Sequence, residues 1–396
     1  MNRAFMGNEN FVLQILFYIF SGAALLATFV LFTRQSLIVA YILLGILFGP
    51  YGLQIVPNEY IIRETGDIGI LFLLFLLGLH LDPRDLLSRL KKISSIGLIS
   101  SIIFFASGYF VSRLFAFSPV ESLIIGAAMM FSSTLIGLKL LPSHFMKKQV
   151  GHLMIGILLL QDLIAIAVLL LIHAVSKADT AWQDIAFVFV SLPILLLVSF
   201  LVEHYVLRYL FRRFEKIHEY IFLIAVAWCL CMAQFAKHFG LPEDIGAFIA
   251  GVAIAEGPAA HYMAESLKSL RDFFLVLFFF TIGASFDWHY LPTVIIPALI
   301  LAAVALILKP WIFKILLKRT GELNHIAKEV GIRLGQTSEF SLIINAMATT
   351  SLVNLISDRT VNLILSTTIM TFIISSYWVV LFYPTPMTLD RKLQEE

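Results

Sequence analysis

The sequence predicts an all-α polytopic membrane protein of about thirteen transmembrane helices. Three observations carry that reading. Of the 396 residues, 60% are hydrophobic and 14% charged, with a mean hydropathy of +0.92, whereas soluble domains run at about 25% charged. Apolar windows of about 20 residues, the length that crosses about 30 Å of hydrocarbon, recur along the chain. Lysine and arginine concentrate in alternate connections, as short cytoplasmic loops require. The net charge of +2 gives no reason to expect nucleic acid, so the partner that composition implies is the lipid bilayer.

The spans follow in order. Residues 11–33 open the series; Met1–Asn10 holds Arg3 as its only basic residue and no small-residue cleavage site, so this stretch reads as a true span. Spans 36–50 and 66–82 follow, the first closing on Gly49-Pro50 and the second running from Asp67 through Gly78 to Asp82. Span 93–116 follows, and 119–141 is interrupted by Ser132-Ser133-Thr134. Span 150–173 carries Gln161-Asp162, and 183–210 stands alone as a linker. Span 218–238 holds Cys229 and Cys231, which point to different faces and read as packing residues. Spans 243–256 and 271–287 follow, the latter with Phe273, Phe274 and Phe278 to Phe280 as packing or lipid-facing surface. Span 290–317 contains Lys309, 325–349 contains Gly335 to Ser341, and 359–383 is the last.

Loops on one side receive twenty lysines and arginines, among them Arg84, Lys147, Arg212 and Lys318; the other side receives Arg3, Arg63, Arg113, Lys177, Lys237 and Arg359. That bias puts the N-terminus outside and the C-terminus in the cytoplasm, as in a bacterial inner membrane. Only Lys309 and Arg333 remain at membrane depth.

The chain also repeats itself. Asp67, Gly78 and Asp82 recur 205 residues later as Asp272, Gly283 and Asp287, and the same offset carries Ser132-Ser133-Thr134 onto Thr337-Ser338-Glu339. Gly49-Pro50 recurs as Gly257-Pro258. Each pairing joins a span to the one seven later, and an odd step reverses direction through the membrane. This is an inverted-topology repeat, the architecture of many secondary transporters, with sites near the midplane.

Within that frame Asp162 stands out, because an Asp at the centre of a span costs about 2.5–3.5 kcal/mol on insertion scales and marks a functional site. The alternative is an Asp locked in a helix–helix hydrogen bond. Ser132, Ser133, Thr134, Thr337 and Ser338 sit in two symmetric mid-span segments suited to broken helices that expose oxygens to an ion. Lys309 lies about 12 Å of helix rise from the basic end of its span, so it either snorkels or turns inward to balance Asp162 or Glu339. Arg333 is nearer its span end and is expected near Glu339. No histidine set has metal-ligand spacing. No Walker sequence, dinucleotide fingerprint or nucleophile elbow is present, so no enzyme chemistry and no cofactor are expected.

Six segments then resemble the monovalent cation:proton antiporters, and most of all the membrane domain of the Kef potassium-efflux type. They are Tyr41 to Pro50, Gly78 to Asp82, Ser132 to Thr134, Gln161-Asp162, Gly246 to Gly251 and Gly335 to Phe340. The resemblance implies a sodium/proton antiporter-like fold, a homodimer and an elevator-type movement. Residues 1–384 would form the antiporter domain: scaffold spans 11–82 and 218–287, ion-carrying core spans 93–173 and 290–383, and linker 183–210. It implies that Asp162 is the ion-binding carboxylate, with Gln161 the position before it and Lys309 the membrane lysine. Electrogenic relatives carry a second Asp where Gln161 stands, so the expectation is electroneutral exchange of one potassium or sodium ion for one proton. Residues 385–396 are expected to be a short cytoplasmic tail, so regulation would fall to a separate subunit or a C-terminal regulatory domain. Two other readings of the same spans are a ligand-gated potassium channel, which conducts without proton coupling, and a non-transporting membrane sensor, which gives no flux.

Overall fold

The computed structural model describes residues 11–383 apart from 34, 57–58, 80–82, 140, 142–148, 177–181, 215–216, 256–262, 264–266 and 353–354. His80, Asp82, His144, Gly257, Pro258 and the tail 385–396 therefore lie outside the described residues, as does Lys147.

Among the described residues every regular element is helical. In chain order they are α1 (Phe11–Phe32), α2 (Leu37–Phe48), α3 (Glu59–Leu79), α4 (Pro83–Leu114), α5 (Pro119–Met129), α6 (Thr134–Lys139), α7 (Gln149–Ser176) and α8 (Trp182–Val202). A π-turn, Glu203–Leu207, joins α8 to α9 (Arg208–Arg213). Then come α10 (His218–His238), α11 (Glu243–Ile254), α12 (Lys268–Ala284), α13 (Leu291–Arg319), α14 (Asn324–Arg333), α15 (Glu339–Ser351) and α16 (Asp358–Phe382). Seven of the helices are long and apolar enough to cross a bilayer, and shorter apolar helices at Leu37–Phe48, Ile68–Leu79, Pro119–Met129 and Asp272–Ala284 lie among them. The chain is an integral membrane protein.

The helices pack in two groups. In one, α11 lies along α3, α12 along α2 and α3, α10 on α11, and α1 on α2. Glycines set the closest approaches: a Cβ at Gly45 would stand 2.0 Å from the Phe280 carbonyl oxygen, and one at Gly251 would stand 2.0 Å from that of Phe75. Small residues let backbones touch where lipid supplies no hydrophobic drive between helices. In the other group, α4 packs on α5, α7 and α13, α13 on α14 and α16, and α15 on α5, α7 and α16. α8, the expected linker, packs chiefly on α11 and its π-turn. Phe278, Phe279 and Phe280 are buried, as is Cys229, while Cys231 is exposed and both thiols are free. No cluster of metal-ligating side chains forms among the described residues.

Two sequence-predicted spans are interrupted where hydroxyl residues suggested it. α5 starts on a capping box between Ser118 and Glu121 and ends at Met129; α6 restarts at Thr134. α14 ends at Arg333, and α15 restarts at Glu339 with Ser338 as its cap. Ser and Thr hydroxyls offer the backbone local partners that compete with a continuous helix.

Candidate ion-binding site

The two interruptions meet. The Ser132 hydroxyl donates to the Leu334 carbonyl at 2.8 Å, the Gln336 amide reaches the Ser133 carbonyl at 3.5 Å, and the Ser341 hydroxyl donates to the Ala128 carbonyl at 2.5 Å. These bonds clamp one broken helix across the other.

Each break frees backbone groups that must be satisfied in a medium without water. On the N–H side, Ser132 N donates to Gln161 Oε1 at 3.0 Å, Ile136 N to Ser133 Oγ at 3.0 Å, and Phe340 N to Ser338 Oγ at 3.2 Å. Thr337 N donates to Thr371 Oγ1 at 3.3 Å, and the two hydroxyls lie 2.6 Å apart. On the carbonyl side, Lys309 Nζ donates to Phe131 O at 2.5 Å and to Gln336 O at 3.1 Å. Lys309 is buried and its ammonium lies 5.2 Å from the centre of the Phe104 ring. So the lysine turns inward rather than snorkelling, and its partners are two carbonyls instead of Asp162 or Glu339. The physical reason is that both half-helices present their negative ends there.

Asp162 is 1% exposed, on α7 beside the breaks. Its two oxygens each lie 3.4 Å from the Thr134 hydroxyl. That is a loose pairing for a carboxylate, which leaves lone pairs for a further ligand. Glu339 is buried in the first turn of α15, next to its cap Ser338. Arg333, expected near Glu339, is held by Glu329 one turn earlier on its own helix at 2.9 Å, the i to i+4 geometry that a helix favours.

The sequence-predicted set therefore converges: Ser132, Ser133, Thr134, Gln161, Asp162, Thr337, Ser338, Lys309 and Glu339 surround one crossing. Sequence reasoning missed Gln336, whose Oε1 accepts from Ser375 at 2.9 Å, and Thr371. The spacing of Thr367, Thr371 and Ser375 on one face of α16 was the available signal. Chemically, the crossing gathers two buried carboxylates, Asp162 and Glu339, with several hydroxyls and carbonyl oxygens, a donor set for a hard monovalent cation or a proton.

The family profile described as "Sodium/hydrogen exchanger, transmembrane" matches residues 16–382. The chain is 28% identical over 351 residues to K(+) efflux antiporter 4 of Arabidopsis thaliana, a match covering 86% of this chain and 58% of that protein, so the chain spans little more than half that relative's length. It is 27% identical over 384 residues to the putative cation/proton antiporter YbaL of Escherichia coli, covering 92% of this chain and 67% of YbaL. The fold is similar to that of the sodium proton antiporter MjNhaP1 from Methanocaldococcus jannaschii, with a TM-score of 0.68 at 16% identity over 93% of this chain and 96% of that one. These relatives are transporters and not enzymes. With the match running through both broken helices and Asp162, the chain belongs to the transmembrane sodium/hydrogen exchanger family, among the cation:proton antiporters whose potassium-efflux members its motifs resemble.

Proposed function

We propose that this chain is a secondary antiporter that exchanges one monovalent cation, potassium before sodium, for one proton at Asp162. The observation that carries the reading is a carboxylate 1% exposed at the crossing of two broken helices, with Thr134 its closest hydroxyl. A proton and a dehydrated cation compete for it, and only the neutralised site crosses. Oxygens of Ser132, Ser133, Thr134, Thr337 and Ser338 replace the cation's water. Relatives named as potassium-efflux antiporters put potassium first.

Thirteen spans with an inverted repeat frame this mechanism. Two packing relations support the repeat: α3 lies on α11 as α12 lies on α2, and Gly78 faces Gly251 as Gly283 faces Gly45. The reading includes a homodimer built on the scaffold spans 11–82 and 218–287, a core that moves against it as an elevator, the N-terminus outside and the C-terminus in the cytoplasm of a bacterial cell.

The test is a vesicle assay of proton movement with potassium, sodium and lithium compared. Cation-driven proton release in wild type, and none with Asp162→Asn, is the expected result. Conductance without proton coupling would make the protein a channel instead.

A further inference from the structure

The two packed groups of helices are not in contact everywhere. A cavity of about 910 Å³ lies between them, lined by Ile70 of α3 and Ile282 of α12 on one side and by Leu342 of α15 and Leu365 of α16 on the other. Beside it a hydrogen bond crosses from group to group. Nε2 of His173, in the last turn of α7, lies 2.8 Å from the carbonyl oxygen of Gly240, in the turn between α10 and α11, and His173 and Pro242 both line the cavity. A carbonyl only accepts, so Nε2 carries the proton and donates. α7 otherwise packs chiefly on α4, α6, α14 and α15, all of its own group. The turn is shaped to present the oxygen. Gly240 has a φ of +69°, the left-handed region that closes helix ends and that glycine enters without strain. Gly240 N donates to Lys237 O at 3.0 Å and Leu241 N to Ala236 O at 2.9 Å, so α10 is closed by its own turn while the Gly240 carbonyl meets α7.

We propose that the bond from His173 to Gly240 is a latch: it holds the helix of Asp162 to the proposed scaffold in the conformation described here, and it breaks each time the core moves. This rests on the moving core of the antiporter reading given above. Asp162 lies eleven residues before His173, about 16 Å along the axis of α7. That helix runs unbroken from Gln149 to Ser176, so a tie at its end restrains the carboxylate with it. A rigid α7 cannot slide past the turn between α10 and α11 while a 2.8 Å bond spans them. A hydrogen bond from a side chain to backbone adds only a modest net stability. It biases two conformations without freezing either. The latch therefore acts on populations, and in the orientation proposed above it favours the conformer that takes its cation from the outer face.

The experiment measures the potassium concentration that half-saturates exchange, in right-side-out and in everted membrane vesicles holding the full chain, and reads the ratio of the outer value to the inner one. A shift between two conformers raises one value and lowers the other, so the ratio moves by the full factor by which the equilibrium moves. His173→Leu and the ring-preserving His173→Phe both remove the donor and should raise the ratio about fivefold, the size of one net hydrogen bond. His173→Gln keeps an N–H donor and should bring the ratio back close to the wild-type value. A ratio that falls or stays put in the Leu and Phe variants would overturn the latch. So would a shift as large with Gln as with Phe, since that would assign the effect to the ring and not to the bond. A packing defect alone slows exchange from both faces and leaves the ratio where it was, which also counts against the latch. If His173→Leu does not reach the membrane, His173→Phe decides alone by the same criterion. Wild-type exchange with an unmoved ratio in the variants would sink only this inference; wild type with no exchange at all would remove the antiporter reading and the latch with it.

Discussion

Asp162 places a carboxylate where the bilayer is least tolerant of one, and among the described residues no tight bond to it is present that would hold two helices together. Thr134 is 3.4 Å away from both oxygens, too loose to be the reason for the charge. We predict that Asp162→Asn abolishes cation-coupled proton flux while leaving the thermal unfolding midpoint of the purified protein close to wild type; flux that survives would remove Asp162 from the mechanism. Lys309 behaves in the opposite way. Lys309→Met strips the donors from two buried carbonyls, Phe131 O and Gln336 O, each costing about 1–3 kcal/mol when orphaned. The midpoint should therefore fall clearly in a melting assay, and a midpoint that does not move would show that other groups satisfy those carbonyls. At this scale the sequence was legible where a charge or hydroxyl sat in an apolar run. It was not legible where partner choice mattered: Lys309 finds backbone, not acid, because half-helix ends exist only once the chain has broken.

At the scale of elements, the breaks were readable and the crossings were not. Ser132 to Thr134 and Gly335 to Ser338 announce competition with helix hydrogen bonds from residue type alone. The helix glycines look alike in sequence, yet their environments differ sharply. A Cβ at Gly251 would meet backbone at 2.0 Å, while one at Gly137 would meet nothing closer than 3.6 Å. Gly251→Ala should thus force α11 off α3 and lower stability by about 1–3 kcal/mol or more, the usual range for overpacking. Gly137→Ala should be neutral or gain up to about 1 kcal/mol from helix propensity. Paired melting curves of the two variants check this, and a Gly251→Ala protein as stable as wild type would mean that α3 and α11 can separate at little cost. The face of α16 shows the same limit. Thr371 and Ser375 are a periodic polar pair in the sequence, but only their bonds to Thr337 and Gln336 reveal that α16 braces the second break.

For the whole molecule, the loop charges and the internal repeat pointed to an architecture that family membership and the fold similarity to MjNhaP1 support at the level of a helical antiporter. What composition and periodicity could not reach is stoichiometry, since that depends on how many charges travel with the site. In the proposed mechanism Gln161 decides it. Its Oε1 is already committed to Ser132 N at 3.0 Å, so its place beside Asp162 is taken by a neutral group with a structural bond. Under the proposed mechanism, with one mobile carboxylate, a cation of charge one replaces a proton of charge one, and no net charge crosses. Membrane potential then has nothing to act on, although it is worth about 2.3 kcal/mol per charge at 100 mV when charge does move. Exchange in vesicles should accordingly run at the same rate with the potential clamped at zero and with an imposed gradient. Gln161→Asp adds a second carboxylate beside the first and should make the rate depend on potential. A wild-type rate that rises or falls with the imposed voltage would show that a second charge travels with Asp162, and would move the search for it to Glu339, the buried acid in the first turn of α15.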